Sequence, residues 1–245
     1  MRSGHSVNRD LGAALKRAAQ RAGEQTPSVR GSDWAGAVVT AVNTDGTVDA
    51  GDLEDIRCME TYIQPAVGDL IYITQSSSGN WLAWGRAAVG DDPIGGIRVA
   101  RKTSDTARTS TATSTGDPHL LFTVRAGAVY LLDGWIKYTA DPAADINFDW
   151  STPAGALGEW TGAGASIDTS PAPNRCQVQL PANDVESARS FGGAGTTANL
   201  TLDIKGTLRV GDTAGTYQLL WAQRVSNAAA TTVYADSWLR LHRVA

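Results

Sequence analysis

The chain has 245 residues, a net charge of −4, and 42% hydrophobic against 19% charged residues. These values describe one large or two small folded domains and exclude disorder, while the mildly acidic balance offers no field to recruit nucleic acid or an anionic membrane. No run of about 18 apolar residues is present to insert in a bilayer, and the N-terminus lacks the apolar stretch of a secretory signal.

Residues 8–22 read as a helix, with Asn8 as its cap and Gly23 as its terminator. Leu11, Leu15, Ala18 and Ala22 recur at helical spacing, whereas Arg9, Lys16, Arg17 and Arg21 lie mostly elsewhere on its surface. A stripe made largely of alanine buries too little to hold such a helix alone. The helix, as an N-terminal anchor over residues 1–30, is therefore expected to dock on another chain or a sister copy, or else on its own domain.

From residue 31 to 92 the pattern changes to short strands. "WAGAVVTAV" runs into the turn "NTDG", then come "TVDAG", "DIRCMETY", "LIYITQ", the turn "SSSGN" and "WLAWGRAA". About five strands at this spacing fit a small, partly open Greek-key barrel of the oligonucleotide/oligosaccharide-binding (OB) type. Between Gly31 and Gly95, ten acids stand against only Arg57 and Arg86, a net charge of −8, so the barrel repels a phosphate backbone. Residues 1–30 carry +4, a complementary charge that favours docking on the barrel within a chain or between copies.

Residues 93–116 include "TSDTARTSTATSTG", small and polar, and read as a linker or an extended edge segment. Residues 117–245 are strand-like throughout. "NLTLDIKGTLRV" alternates Leu200, Leu202, Ile204, Leu208 and Val210 against Thr201, Asp203, Lys205, Thr207 and Arg209; "DINFDW" alternates in the same way. Repeated alternating strands without a helix predict a two-sheet antiparallel sandwich. In "VYLLDGWIKY" and in the closing hairpin 215–245, however, large apolar residues occupy both faces. A sandwich has one interior, so the second face needs a cover, supplied by loops and strand twist or, more economically, by copies of the same chain. Trp135, Trp221 and Trp238 are the candidates for core or subunit contact, and Leu11 and Leu15 of the helix are further candidate subunit contacts.

Chemistry-bearing constellations are scarce. His5, His119 and His242 have no His or Cys partner at metal spacing, and no HExxH, GxSxG or phosphate-cradling loop occurs. Cys58 and Cys176 read as unpaired thiols. Asp145 and Asp149 fall on one side of a strand about 13 Å apart, too far for a glycosidase pair, and are expected on a solvated face. The expectation is a protein without catalytic residues, cofactor or metal. The stretch "STPAGALGEWTGAGASIDTSPAPNR" (151–175) reads as a long loop. Its Trp160, Asp168, Asn174 and Arg175 could hold a glycan by ring stacking and polar contacts; the alternative is a loop covering a subunit junction.

"GAVVTAVNTDGTVDAG" and "QPAVGDLIYITQSSSGNWLAWGRAA" resemble the small barrel domain of bacteriophage tail and baseplate proteins, through the Val-rich first strand, the "DGTVD" hairpin, "PAVGDLIYI" and a closing strand that ends in Gly-Arg. "DPHLLFTVRAGAVYLLDGWIKYTA" and the last 31 residues, from Gly215, are similar to the C-terminal sandwich of tail or virion fibre proteins in phages of actinobacteria. The resemblance implies a trimeric jelly-roll head, in outline like complement and tumour-necrosis-factor heads, carried on a virion and assembled in the host cytoplasm. It implies host-surface attachment as a minor tail or fibre protein, with the N-terminal helix joined to other virion proteins; a capsid-decorating head fibre is the variant of this reading. The octad-repeat β-helix and metal-bound tip of puncturing spikes are missing, so membrane insertion is not implied. A free carbohydrate-binding module and a hydrolase are the competing classes.

Overall fold

The computed structural model describes residues 12, 14–19, 21–22, 33–76, 78–87, 92–167 and 177–245. The chain divides into two compact units, Met1–Val89 and Gly90–Ala245. Residues 14–19 are helical and exposed, Leu15 at 63%. The proposed cap Asn8, the terminator Gly23 and Leu11 lie outside the described residues.

The first unit contains the expected five-stranded barrel. Its strands are β1 (Asp33–Val42), β2 (Thr47–Ala50), β3 (Leu53–Cys58), β4 (Leu70–Gln75) and β5 (Trp81–Arg86). They close in the order β1-β2-β3-β5-β4, with β3 and β5 parallel and the remaining pairs antiparallel. The β1–β2 turn forms where Gly46 takes φ +88°, open to glycine without strain. Asp45 Oδ1 locks that turn, accepting from the Thr47 amide at 3.0 Å and its hydroxyl at 2.7 Å. Alternation sends Val39, Val48, Ala50, Ile56, Ile71, Ile73 and Ala83 inward to fill the barrel.

The barrel's sequence cues converge on one ion pair. Asp69, from "PAVGD", accepts from Arg86 Nε at 2.6 Å and Arg86 Nη2 at 2.7 Å, from the Tyr62 hydroxyl at 2.7 Å and from the Ala66 amide at 2.9 Å. Arg86 ends the closing strand, so this cluster ties β4 to β5 and to the segment that joins β3 to β4.

The second unit is a sandwich of antiparallel sheets. The four-stranded sheet, in order β14-β10-β16-β8, is built from β8 (Thr115–Val124), β10 (Ile146–Ser151), β14 (Arg189–Phe191) and β16 (Gly215–Gln223). The nine-stranded sheet comprises β6 (Ile97–Arg101), β7 (Thr106–Arg108), β9 (Val129–Ala140), β11 (Leu157–Ala165), β12 (Gln177–Gln179), β13 (Asn183–Asp184), β15 (Gly195–Arg209), β17 (Thr231–Val233) and β18 (Trp238–Arg243). The long strands β9 and β15 pair from Arg209↔Val129 to Leu200↔Tyr138 and form its spine. Between the sheets lie Tyr130, Leu132, Ile136, Tyr138, Leu202 and Ile204 from one side and Phe122, Phe148, Trp150, Phe191, Leu219 and Trp221 from the other.

Four expectations are corrected. Residues 93–116 are no linker: β6 pairs with β18, β7 pairs with β17, and β8 begins at Thr115. Asp92, expected to end the barrel, is buried in the second unit, where the Tyr130 hydroxyl donates to it. Residues Leu157–Ala165 of the 151–175 loop are strand β11, paired with β15 over Leu157↔Arg209 to Ala163↔Asp203. The closing hairpin does not exist as such, because β16 belongs to the smaller sheet while β17 and β18 pair with β9 in the larger. The chain crosses the core between them, so Leu219 and Trp221 face Leu239 and Leu241 from opposite sheets. The last strand lies between β6 and β9.

Candidate association surfaces

The outward side of the larger sheet is set by register. Across β6, β18, β9 and β15 the cross-strand rows read Arg101–Trp238–Trp135–Asp203, then Val99–Arg240–Asp133–Lys205, then Ile97–His242–Leu131–Thr207. Ile97, Val99 and Leu131 are 58%, 61% and 45% exposed, and Trp135 and Trp238 are half-buried. The middle row carries the charge. Asp133 accepts from Lys205 Nζ at 2.8 Å and also from Arg240. The hydrogen bond from Lys205, with the charges of Lys205 and Arg240, holds the Asp133 carboxyl below its ordinary value. The middle row thus holds two cations on one carboxylate, and this paired network crosses an otherwise apolar band, a composition suited to a protein partner.

The barrel exposes a second apolar surface. Trp34 is 72% exposed and meets Tyr72 edge-on at 5.8 Å, and Trp84 donates its indole N–H to Thr74 Oγ1 at 2.9 Å. Val38 and Leu70, register partners on β1 and β4, extend the same surface.

The expected contact residues separate into three groups. Trp135 and Trp238 are register partners on the outward side and Leu15 is exposed, so these three are placed where contact is open to them. Trp221 is corrected: it is fully buried in the sandwich, with its indole N–H on Asp117 Oδ2 at 3.1 Å. Trp160 is corrected as well. It is 1% exposed, edge-on to Trp150 at 5.8 Å, and has no surface to offer a glycan. Asp168, Asn174 and Arg175 lie outside the described residues.

Asp145 also differs from the expected solvated position. It is buried, with Oδ1 accepting from the Gly193 amide at 2.9 Å and Oδ2 3.3 Å from Arg224 Nη1. Burial pushes its carboxyl up despite those partners. A cluster the sequence did not single out joins Lys102, Asp117, His119 and Trp221 in the sandwich interior. Its signal is the alternation Arg98, Ala100, Lys102, an inward row whose polar members conceal the strand. Among the described residues no group of three His, Cys, Asp or Glu side chains could hold a metal ion, and no helix is long and apolar enough to cross a membrane.

No family model and no curated protein matches the sequence. Among solved structures, the infectious bursal disease virus Gx strain is similar at 11% identity over 86% of this chain and 62% of that one, with a TM-score of 0.18. A subviral particle of the VP2 protein of infectious bursal disease virus is similar at 11% identity over 73% of this chain and 48% of that one, with a TM-score of 0.15. Carbohydrate-binding modules of the β-sandwich superfamily are similar at 15% identity over 84% and 85% of the two chains, with a TM-score of 0.15. The chain thus spans less than two thirds of the viral proteins it matches, and likeness at these TM-scores carries no weight for what this chain does.

Proposed function

We propose that the chain is a structural component of a bacteriophage particle, a self-associating tail-tip or fibre protein that presents its sandwich to the host surface. The observation that carries this reading is the outward band of Ile97, Val99, Leu131, Trp135 and Trp238 around the paired Lys205–Asp133–Arg240 network. Water is a poor neighbour for that band, and in a closed ring of copies each chain covers it with a surface of its neighbour. The sequence resemblance of both units to phage tail and fibre domains supplies the virion, the host-attachment role and the number of three copies. The exposed helix with Leu15 is free to join neighbouring virion proteins. A capsid fibre meets the same physical requirements.

The exposed Trp34, Tyr72 and Trp84 favour a second reading, a glycan-binding module, because indole and phenol faces stack on the apolar faces of sugar rings. Electron microscopy of phage particles labelled with antibody raised against this chain tests the first reading. Label at the tail tip or on the capsid is the expected result. Unlabelled particles, together with glycan binding by the free protein that is lost in Trp34→Ala, would transfer the function to the second.

A further inference from the structure

We propose that Lys102 and Asp117 are joined by an intramolecular isopeptide bond that ties the two sheets of the sandwich together. Lys102 follows β6 of the larger sheet, and Asp117 lies on β8 of the smaller. Both side chains have no exposure at all, and Nζ stands 2.8 Å from Asp117 Oδ2. The backbones on either side are fixed: the Lys102 amide donates to Ser237 O at 2.8 Å, and Gln218 Nε2 donates to Asp117 O at 2.9 Å. An amine and a carboxyl held in contact, away from water, have the proximity that an intermolecular condensation lacks. A buried ion pair also keeps a desolvation penalty that a neutral amide removes.

The surroundings supply the rest of the chemistry. Trp221 Nε1 donates to Asp117 Oδ2 at 3.1 Å, and Arg108 stacks on that indole 3.9 Å from its centroid, holding it in place. The indole N–H is thus aimed at the oxygen on which charge develops. The His119 amide donates to Asp117 Oδ1 at 3.0 Å. The His119 ring Nδ1 lies 3.5 Å from Lys102 Nζ and 3.9 Å from Asp117 Oδ1, between the atom that loses a proton and the oxygen that gains one. The Thr106 hydroxyl, 2.6 Å from Nζ, orients the amine.

The step balances without a co-reactant. Proton transfer within the pair gives a neutral amine and a carboxylic acid. The nitrogen lone pair of Lys102 attacks Asp117 Cγ, forming the C–N bond and placing negative charge on Oδ2 beside Trp221. His119 takes a proton from the nitrogen and delivers it to the Oδ1 hydroxyl, the Cγ–Oδ1 bond breaks, and one water leaves as the amide forms. His119 is 26% exposed, so the relay opens toward solvent.

Intact-mass spectrometry and peptide mapping of the purified full-length chain test this, independently of what the protein attaches to. The expected chain is one water lighter than its sequence, and Lys102 and Asp117 are recovered in one branched peptide. Asp117→Asn loses ammonia instead of water, Lys102→Arg keeps the full mass of its sequence, and His119→Ala accumulates the unlinked form. Wild-type protein at the full mass of its sequence, with the two residues in separate peptides, overturns the proposal.

Discussion

Replacing Trp160 with alanine lowers the stability of the sandwich by about 3–5 kcal/mol, the cost of emptying a large aromatic site in a packed core. Trp160 is 1% exposed, edge-on to Trp150, which stacks on Tyr217 at 4.6 Å, and its indole N–H reaches Ser187 O at 3.3 Å. Removing it vacates one member of a three-ring cluster, while the Ser187 carbonyl keeps the Asn183 side-chain amide as its donor at 3.0 Å. Urea denaturation followed by tryptophan fluorescence is the measurement, and the expected change is a lower midpoint in the transition of the second unit. A residue that served a ligand at the surface would leave the midpoint unmoved and weaken binding instead.

Asp69→Ala destabilises the barrel by about 3 kcal/mol, because it removes the carboxylate that accepts from Arg86, Tyr62 and the Ala66 amide. The Tyr62 hydroxyl loses its acceptor and the Arg86 guanidinium keeps only Gln64 O at 2.8 Å, while Arg86 also packs over the Tyr62 ring at 5.5 Å. The pH dependence follows from the same contacts. Burial pushes the Asp69 carboxyl up, but the hydrogen bonds from Arg86, Tyr62 and Ala66 outweigh it and hold the group below its ordinary 3.8. A carboxyl depressed by folding contributes stability that is present above the unfolded value and is lost as pH falls through the folded one. Wild type and variant should therefore differ most at neutral pH, begin to converge as pH falls through about 4, and meet only below the lowered folded value, where Asp69 is protonated in both states. Thermal unfolding of the barrel transition across that range reads the difference.

The mainly-β architecture was legible because hydrophobic alternation marks a strand whose inward residues are large. β15 and β10 announce themselves through Leu202, Ile204 and Phe148, and the turn Asp45–Gly46 announces the β1–β2 hairpin. β11 was hidden by the opposite arrangement. Its inward positions are Gly158, Trp160, Gly162 and Gly164, while Leu157 points out at 62% exposure. The glycines are required there: a Cβ on Gly162 would lie 2.6 Å from Phe191 Cζ and 2.8 Å from Leu202 Cδ1. Small residues make room for large neighbours from other strands, and nothing local records that. β6 was hidden by polarity, since Arg98 and Lys102 turn inward to meet Asp92 and Asp117. The first stretch reads as loop and the second as linker or edge segment for reasons that lie in the packing and not in the chain's own periodicity.

The candidate contacts divided on the same principle. Tryptophan marks a place worth burying without saying against what, and only register distinguishes Trp221, turned into the core, from Trp238, turned out beside Trp135. Two apolar faces on one strand pair were visible from composition. The assignment of the closing strands to opposite sheets, which decides which face is outward, depends on partners as far away in sequence as β6 and β10.

Light scattering coupled to size exclusion, on the intact chain and on the Val99→Lys, Leu131→Lys double variant, is the most direct test of an outward face covered by copies. Both residues are exposed and neither supports the core, so the variant should fold normally. The wild type is expected to elute with the mass of three chains and the variant with the mass of one, at matched circular dichroism. A wild type that runs as a single chain at every concentration, indistinguishable from the variant, contradicts the account.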